Sequence, residues 1–347
     1  MSAQSQPLPA GAPQSQPSPE LFFQTINAFQ KSAALKGAIE LDLFTAIAEG
    51  NTTTESIALR CQASQRGTRI LADYLVAIGF LTKSGEHYGL TPDSGAFLNR
   101  HSPAYLGGAI GFLLHPSHKE RYDDVAGAVR KGGTLFEEDN ALSPEHEMWI
   151  AFAEAMYKLQ TMPAELIAKF LHVETAQQLK VLDIAAGHGA FGIAIARHNP
   201  HAEVVALDWK NVLEVARKHA REAGVEENWR ALPGSAFEVD YGNDYDLVLV
   251  TNIIHHFDKP TTEKLLRKVH AALAPNGRAV ILEFVPNEDR VSPPMPATFP
   301  LTMLVSTPAG DAYTYSEYQQ MLKNTGFSQQ ELHDLPPSFF RLIVARK

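Results

Sequence analysis

The sequence predicts an α/β protein: a doubly wound sheet over residues 176–347, behind a smaller, mainly helical domain with a winged-helix pattern. Three observations carry this reading. Strand and helix patterns alternate from Leu179 onward, as in a parallel sheet covered by helices on both faces. The loop Gly187-His188-Gly189-Ala190-Phe191-Gly192 falls between the first such strand and the first helix. The chain before it shows helical periodicity and a single hairpin signal.

Residues 1–19 are rich in Pro, Gln, Ser and Ala, too polar to offset the entropy of ordering, and are expected to be a disordered tail. From Glu20 the composition changes, with Phe22, Ile26 and Phe29 at helical spacing. Thr52 and Glu55 have capping-box spacing at a helix start. Ser64 precedes an apolar helix through Ile70, Leu71, Tyr74, Leu75 and Ile78, ended by Gly79, and a hairpin turns at Ser84-Gly85. Residues 20–102 thus read as a winged-helix-like unit. Residues 103–175 read as a helical connector, whose run MWIAFAEAMYKL is either buried or lines a pocket. The strands of the last domain are expected at LKVLDIA, AEVVALD, NWRALPG, YDLVLVTNI and RAVILEFV, with two more near FSQQELH and FFRLIVARK. Ligands of such sheets sit at the carboxyl ends of the strands, near the switch point.

The chain has 347 residues and a formal net charge of -9. Phosphate binding needs clustered Lys and Arg, so the winged-helix pattern reads as a packing and dimerisation module, not a DNA reader. The single cysteine, Cys61, allows no internal disulfide and no cysteine zinc site. With no signal-peptide pattern and no membrane-length apolar run, a soluble, cytoplasmic protein is expected.

The glycine loop alone fits a dinucleotide as well as other nucleosides. Charge separates the rivals. Asp183 ends the strand just before Gly187 and would repel a pyrophosphate. S-adenosylmethionine brings a sulfonium and an ammonium, which an acid favours. Asp208, at the next strand end, can accept ribose hydroxyls from either cofactor. S-adenosylmethionine is therefore expected, with Asp183, Gly187, Gly189 and Asp208 around it. An NAD-dependent oxidoreductase is the rival that the glycine pattern keeps open.

The stretches VLDIAAGHG, ALDW, YDLVLVTNIIHHF and AALAPNGRAVILEFVP resemble class I methyltransferases with a Rossmann-like fold. More narrowly, they resemble the dimeric small-molecule O-methyltransferases of plant caffeate type and their bacterial relatives. The resemblance implies a homodimer through the N-terminal domain and a small, aromatic or polyketide-like acceptor. It implies that His255 is the general base, a role suited to an imidazole near neutral pH, and that Glu283 orients it. The family usually follows this His with Asp-Trp; here His256 and Phe257 follow, and His256 is counted with the substrate-binding residues. A second family acid falls on Ala312, with Asp311 beside it. The adenine-side positions fall on Ser235, Ala236 and Phe237. Thr251 and Trp209 are counted on the cofactor side, and Phe152 and Met156 as substrate-lining. No metal is expected, because adjacent His255 and His256 would point to opposite faces of a strand. Some members of this family use the same fold and cofactor for hydroxylation or rearrangement, which stays open as an alternative.

Overall fold

A computed structural model describes residues 17–136 and 147–347. The tail expected over residues 1–19 lies, up to residue 16, outside the described residues. The chain divides between Gly107 and Gly108 into two compact units.

The first unit holds α1 (Glu20–Ile26), α2 (Ala28–Glu40), α3 (Leu43–Ala48), α4 (Thr54–Arg60) and α5 (Gln65–Ala77). The hairpin of β1 (Leu81–Ser84) and β2 (His87–Leu90) and then α6 (Pro92–Phe97) complete it. Leu43, Phe44, Ile57, Leu75 and Tyr88 form its core. Ser64 precedes α5 as expected and caps it, accepting from the Gly67 N–H. The capping box of α4 is shifted by one residue: Thr53 and Ser56 form it, not Thr52 and Glu55. Thr52 is engaged by the hairpin, its carbonyl accepting from Tyr88 N–H at 2.8 Å and its hydroxyl meeting His87 Nδ1 at 3.0 Å. On α1 and α2, by contrast, Leu21, Phe22, Phe23, Ile26 and Phe29 are each at least 56% exposed.

The second unit opens with three short helices, α7 (Ile110–Leu113), α8 (Pro116–Glu120) and α9 (Val125–Lys131), then the long α10 (Glu147–Phe170). The sheet follows: β3 (Leu179–Ile184), α11 (Ala190–His198), β4 (Ala202–Asp208), α12 (Lys210–Glu222), β5 (Trp229–Pro233), β6 (Tyr245–Thr251), α13 (Lys259–Ala272) and β7 (Leu273–Glu283). The chain ends with α14 (Pro294–Ser306), α15 (Tyr315–Asn324), β8 (Gln329–Asp334) and β9 (Arg341–Arg346). Spatial order is β5-β4-β3-β6-β7-β9-β8. The first five strands are parallel, as expected. Only β9 is reversed: it runs antiparallel to both β7 and β8, so β8 points the same way as the first five. Residues 335–340 are too short a link for a parallel crossover, so the chain doubles back and the sheet is mixed.

Alternate strand residues feed two cores. Val181, Leu247 and Leu249 pack with Ile167 of α10, Ile193 of α11 and Leu213 of α12. Leu182, Val248 and Val250 pack with Leu265 of α13 and Leu322 of α15 on the other face. Because β3 and β6 are neighbours while the chain runs outward from β3 to β4 and β5, the switch point lies between them. The carboxyl ends of these two strands carry the glycine loop and His255. No helix among the described residues is long and apolar enough to cross a membrane.

Candidate active site

The loop after β3 bends through left-handed conformations at Ala185, Gly187 and Gly189. Gly192 sits where α11 presses on the strand. A Cβ there would stand 3.0 Å from Asp183 Oδ2 and 2.8 Å from Val204 Cγ1. This closeness lets the Gly192 N–H donate to Asp183 Oδ2 at 3.0 Å.

Three more of the loop's N–H groups are also used inside the chain. Gly187 N–H donates to Asp208 Oδ2 at 2.8 Å, Gly189 N–H to the Ala186 carbonyl at 2.7 Å, and Ala190 N–H to His188 Nδ1 at 3.1 Å. A pyrophosphate site needs such N–H groups to point at the ligand. These four are committed elsewhere. The acids offer the opposite: Asp183 Oδ1 is buried with no hydrogen-bond partner. Burial pushes the Asp183 carboxyl up to about 7, against the Gly192 N–H and with help from Asp208. Burial likewise raises Asp208 to about 6, although the Gly187 and Trp209 N–H groups hold its charged form. An orphaned carboxylate oxygen in an apolar setting is suited to a cation. Asp183 could thus hold the ammonium of S-adenosylmethionine, and Asp208 its ribose.

The other cofactor-side residues are spread around this loop. Ser235, Ala236 and Phe237 are half-buried beyond β5, where the Ser235 hydroxyl accepts from the Phe237 N–H at 3.2 Å. Thr251 is buried at the end of β6, opposite Leu282. Trp209 precedes α12 and packs with Ala153, Val212 and Val215.

At the end of β6 the chain makes a 3₁₀ turn, Ile254–His256. His255 Nδ1 donates to Glu283 Oε2 at 2.7 Å. The Glu283 side chain is fully buried, and its Oε1 accepts from the Ile254 and His255 N–H groups at 2.9 and 3.3 Å. Four donors therefore meet this carboxylate, since the Phe284 N–H reaches Oε2 at 3.3 Å. The arrangement holds the imidazole with Nε2 as its acceptor face. His255 and His256 do not point to opposite sides, as a strand would require. In the turn their rings stand 4.4 Å apart. Even so, no group of three or more metal-ligating side chains is found among the described residues. Burial, with His255 nearby, keeps the His256 pKa well below its ordinary value, and its Nδ1 is buried without a partner.

No carboxylate occupies the second acid position. Ala312 is buried, and Asp311 accepts from the Ala312 N–H and pairs with Arg290 at 3.5 Å.

Aromatic rings surround these groups. Phe152 lies 6.3 Å from His188 and 5.5 Å from Phe112, while Trp149 stands edge-on to His256 at 5.7 Å. Met156 follows one turn later on α10 and is half-buried. Phe299 of α14 meets the His255 ring at 4.9 Å and stacks on Phe284 at 3.7 Å. Trp149, Phe299 and the His188 ring were not expected from the sequence. Trp149 was legible, since it shares the helical stripe of Phe152 and Met156. Helix α14 was obscured by its prolines. Pro294 and Pro296 occupy the first turn, where no N–H is needed, and only Pro300 lies deeper.

A glycine loop whose Gly187, Gly189, Ala190 and Gly192 N–H groups are taken, between two acids, suits a cofactor that brings positive charge and no phosphate. On a doubly wound sheet this defines an S-adenosylmethionine-dependent methyltransferase. Comparison with known proteins agrees. An O-methyltransferase domain model matches residues 118–328, and an O-methyltransferase dimerisation domain model matches residues 23–100. The chain belongs to the O-methyltransferase family.

A crystal structure of a candidate O-methyltransferase from Nostoc punctiforme is 53% identical, with a TM-score of 0.91 over 96% of this chain and 100% of that one. The 3-hydroxy-5-methyl-1-naphthoate 3-O-methyltransferase of Streptomyces sahachiroi is 27% identical over 92% of both chains. Human N-acetylserotonin methyltransferase, solved with S-adenosylmethionine, shares the fold, at 24% identity and a TM-score of 0.81 over 97% of this chain and 99% of that one.

Proposed function

We propose that the protein methylates a hydroxyl group on a small aromatic or polyketide-like molecule, with His255 as general base and Glu283 as the residue that positions it. The buried His255–Glu283 hydrogen bond of 2.7 Å carries this reading. Bound S-adenosylmethionine supplies an electrophilic methyl group. His255 Nε2 accepts the proton of the acceptor hydroxyl as its oxygen becomes the nucleophile, and Glu283 stabilises the imidazolium that results. Asp183 and Asp208 hold the cofactor. Ser235, Ala236 and Phe237 face its adenine, with Gly187, Gly189, Thr251 and Trp209 around the rest.

Phe152, Met156 and His256 line the acceptor site, in a connector spanning residues 103–175 and the catalytic segment 176–347. The rings of Phe112, Trp149 and Phe299 favour a flat acceptor. The Streptomyces relative named above acts on a naphthoate, which supports an aromatic one.

The test is a panel of a naphthol, a hydroxynaphthoate, an aromatic amine and a thiol, each incubated with S-adenosylmethionine. Methyl ethers of the hydroxyl compounds and one S-adenosylhomocysteine per ether are expected. Transfer to the amine or thiol alone, or acceptor conversion without S-adenosylhomocysteine, overturns the reading.

We infer a homodimer in the cytoplasm. The exposed apolar side chains of α1 and α2 support self-association, because a ridge of this kind is seldom left in water. Replacing Phe22 and Phe29 together by Asp is expected to halve the mass measured by analytical ultracentrifugation. An unchanged mass counts against this ridge as the interface.

A further inference from the structure

The amino-acid end of the cofactor carries a carboxylate as well as an ammonium. The glycine loop offers that carboxylate little, since the N–H groups of Gly187, Gly189, Ala190 and Gly192 are taken within the chain. His188 lies in the middle of this loop and is 5% exposed. Its carbonyl accepts from His219 Nδ1 at 2.9 Å, and Tyr157 stacks on that His219 ring at 3.8 Å. Its own ring is flanked by Phe152 at 6.3 Å and Phe191 at 5.8 Å. Both the backbone and the ring plane are therefore held.

The protonation state is held too. Burial, with His219 adding to it, lowers the His188 pKa to about 3, so the imidazole is neutral at working pH. Its Nδ1 accepts the Ala190 N–H, which leaves the single ring proton on Nε2. That Nε2–H makes no hydrogen bond among the described residues. Among the side chains at the loop, one acceptor, Asp183 Oδ1, and one donor, His188 Nε2–H, stand without a partner among the described residues.

We propose that His188 Nε2–H donates to the α-carboxylate of the bound cofactor, so that the loop reads both ends of a zwitterion. The proposal rests on the cofactor reading above. Position 188 is then a binding residue, not a spacer between two glycines.

Calorimetric titration with two ligands tests it: S-adenosylhomocysteine, and its decarboxylated analogue, which keeps the ammonium. His188→Phe keeps a flat ring without the donor. His188→Asn keeps an acceptor for the Ala190 N–H but lacks the reach of Nε2. The wild type is expected to bind S-adenosylhomocysteine at least about tenfold more tightly than the analogue. Either variant should lose about tenfold in affinity for S-adenosylhomocysteine and bind the analogue as the wild type does. Equal loss for both ligands would mark His188 as merely structural and overturn the proposal, as would no loss at all. If the Phe variant does not fold, the Asn variant and the wild-type ligand ratio decide. A wild-type protein that ignores the carboxylate rejects the proposal but leaves the cofactor reading intact. A wild-type protein that binds neither ligand rejects both.

Discussion

His255→Ala lowers kcat for methyl transfer to a phenolic acceptor by about 10²–10⁴-fold, the usual worth of a positioned general base. The KM for S-adenosylmethionine should change little, because the His255 ring is hydrogen-bonded to Glu283 and not to the glycine loop after β3. The residual rate should rise about tenfold per pH unit, since only the ionised phenol then reacts. The variant leaves Glu283 without its imidazole partner, yet that carboxylate keeps the N–H groups of Ile254, His255 and Phe284 as donors. A folded protein is therefore expected, and a thermal melt beside the kinetics checks it. Glu283→Gln keeps the shape but weakens the hold on the imidazolium, so a smaller loss is expected. Steady-state rates on one acceptor across pH would settle the matter: a His255→Ala enzyme with wild-type kcat removes this residue from the chemistry.

Asp183→Asn weakens binding of S-adenosylhomocysteine by about 10²–10³-fold, the cost of removing one partner of a buried charge pair. The wild type should also show a pH signature. The Asp183 carboxyl stands at about 7 in the free protein. A bound ammonium favours its charged form and lowers that value, so binding below pH 7 releases a proton. Affinity should be full above about pH 7 and fall by up to about tenfold per unit below it. Asp208, at about 6, adds a second step if its charged form is favoured by the ligand. For stability the sign is reversed. The free protein prefers this carboxyl neutral, so its contribution is full below the unfolded value near 4 and lost as pH rises through about 7. Calorimetry from pH 5.5 to 8 compares the two proteins. A wild-type affinity that does not change over that range rejects Asp183 as the ammonium partner.

Much of this site was legible before any coordinates. Asp183, Gly187, Asp208, His255 and Glu283 stand at or just beyond strand ends, which follow from hydrophobic pattern, and the roles of His255 and Glu283 follow from the family resemblance. What escaped notice depends on contacts distant in sequence. Thr52 has the right spacing for a cap but is engaged by the hairpin at Tyr88. The three prolines of α14 read as breakers, yet two stand where a helix tolerates them, and the helix delivers Phe299 to His255. The reversal of β9 follows from a link too short for a crossover. His188 has no legible role in the sequence because its setting is made by Phe152, Tyr157 and His219, which lie on two other helices. Charge reasoning chose the cofactor correctly, and a second argument lay in the fold: four of the loop's N–H groups are already engaged.

That self-contained loop also bears on turnover. A loop held by four internal N–H bonds keeps its form whether or not a ligand is present. Fresh and spent cofactor meet the same rigid mould, and neither must order it on arrival or disorder it on leaving. The amino-acid end is identical in both, so only the sulfonium charge separates fresh cofactor from spent. Product left to accumulate is then a direct competitor, and sustained activity depends on its removal by some other reaction.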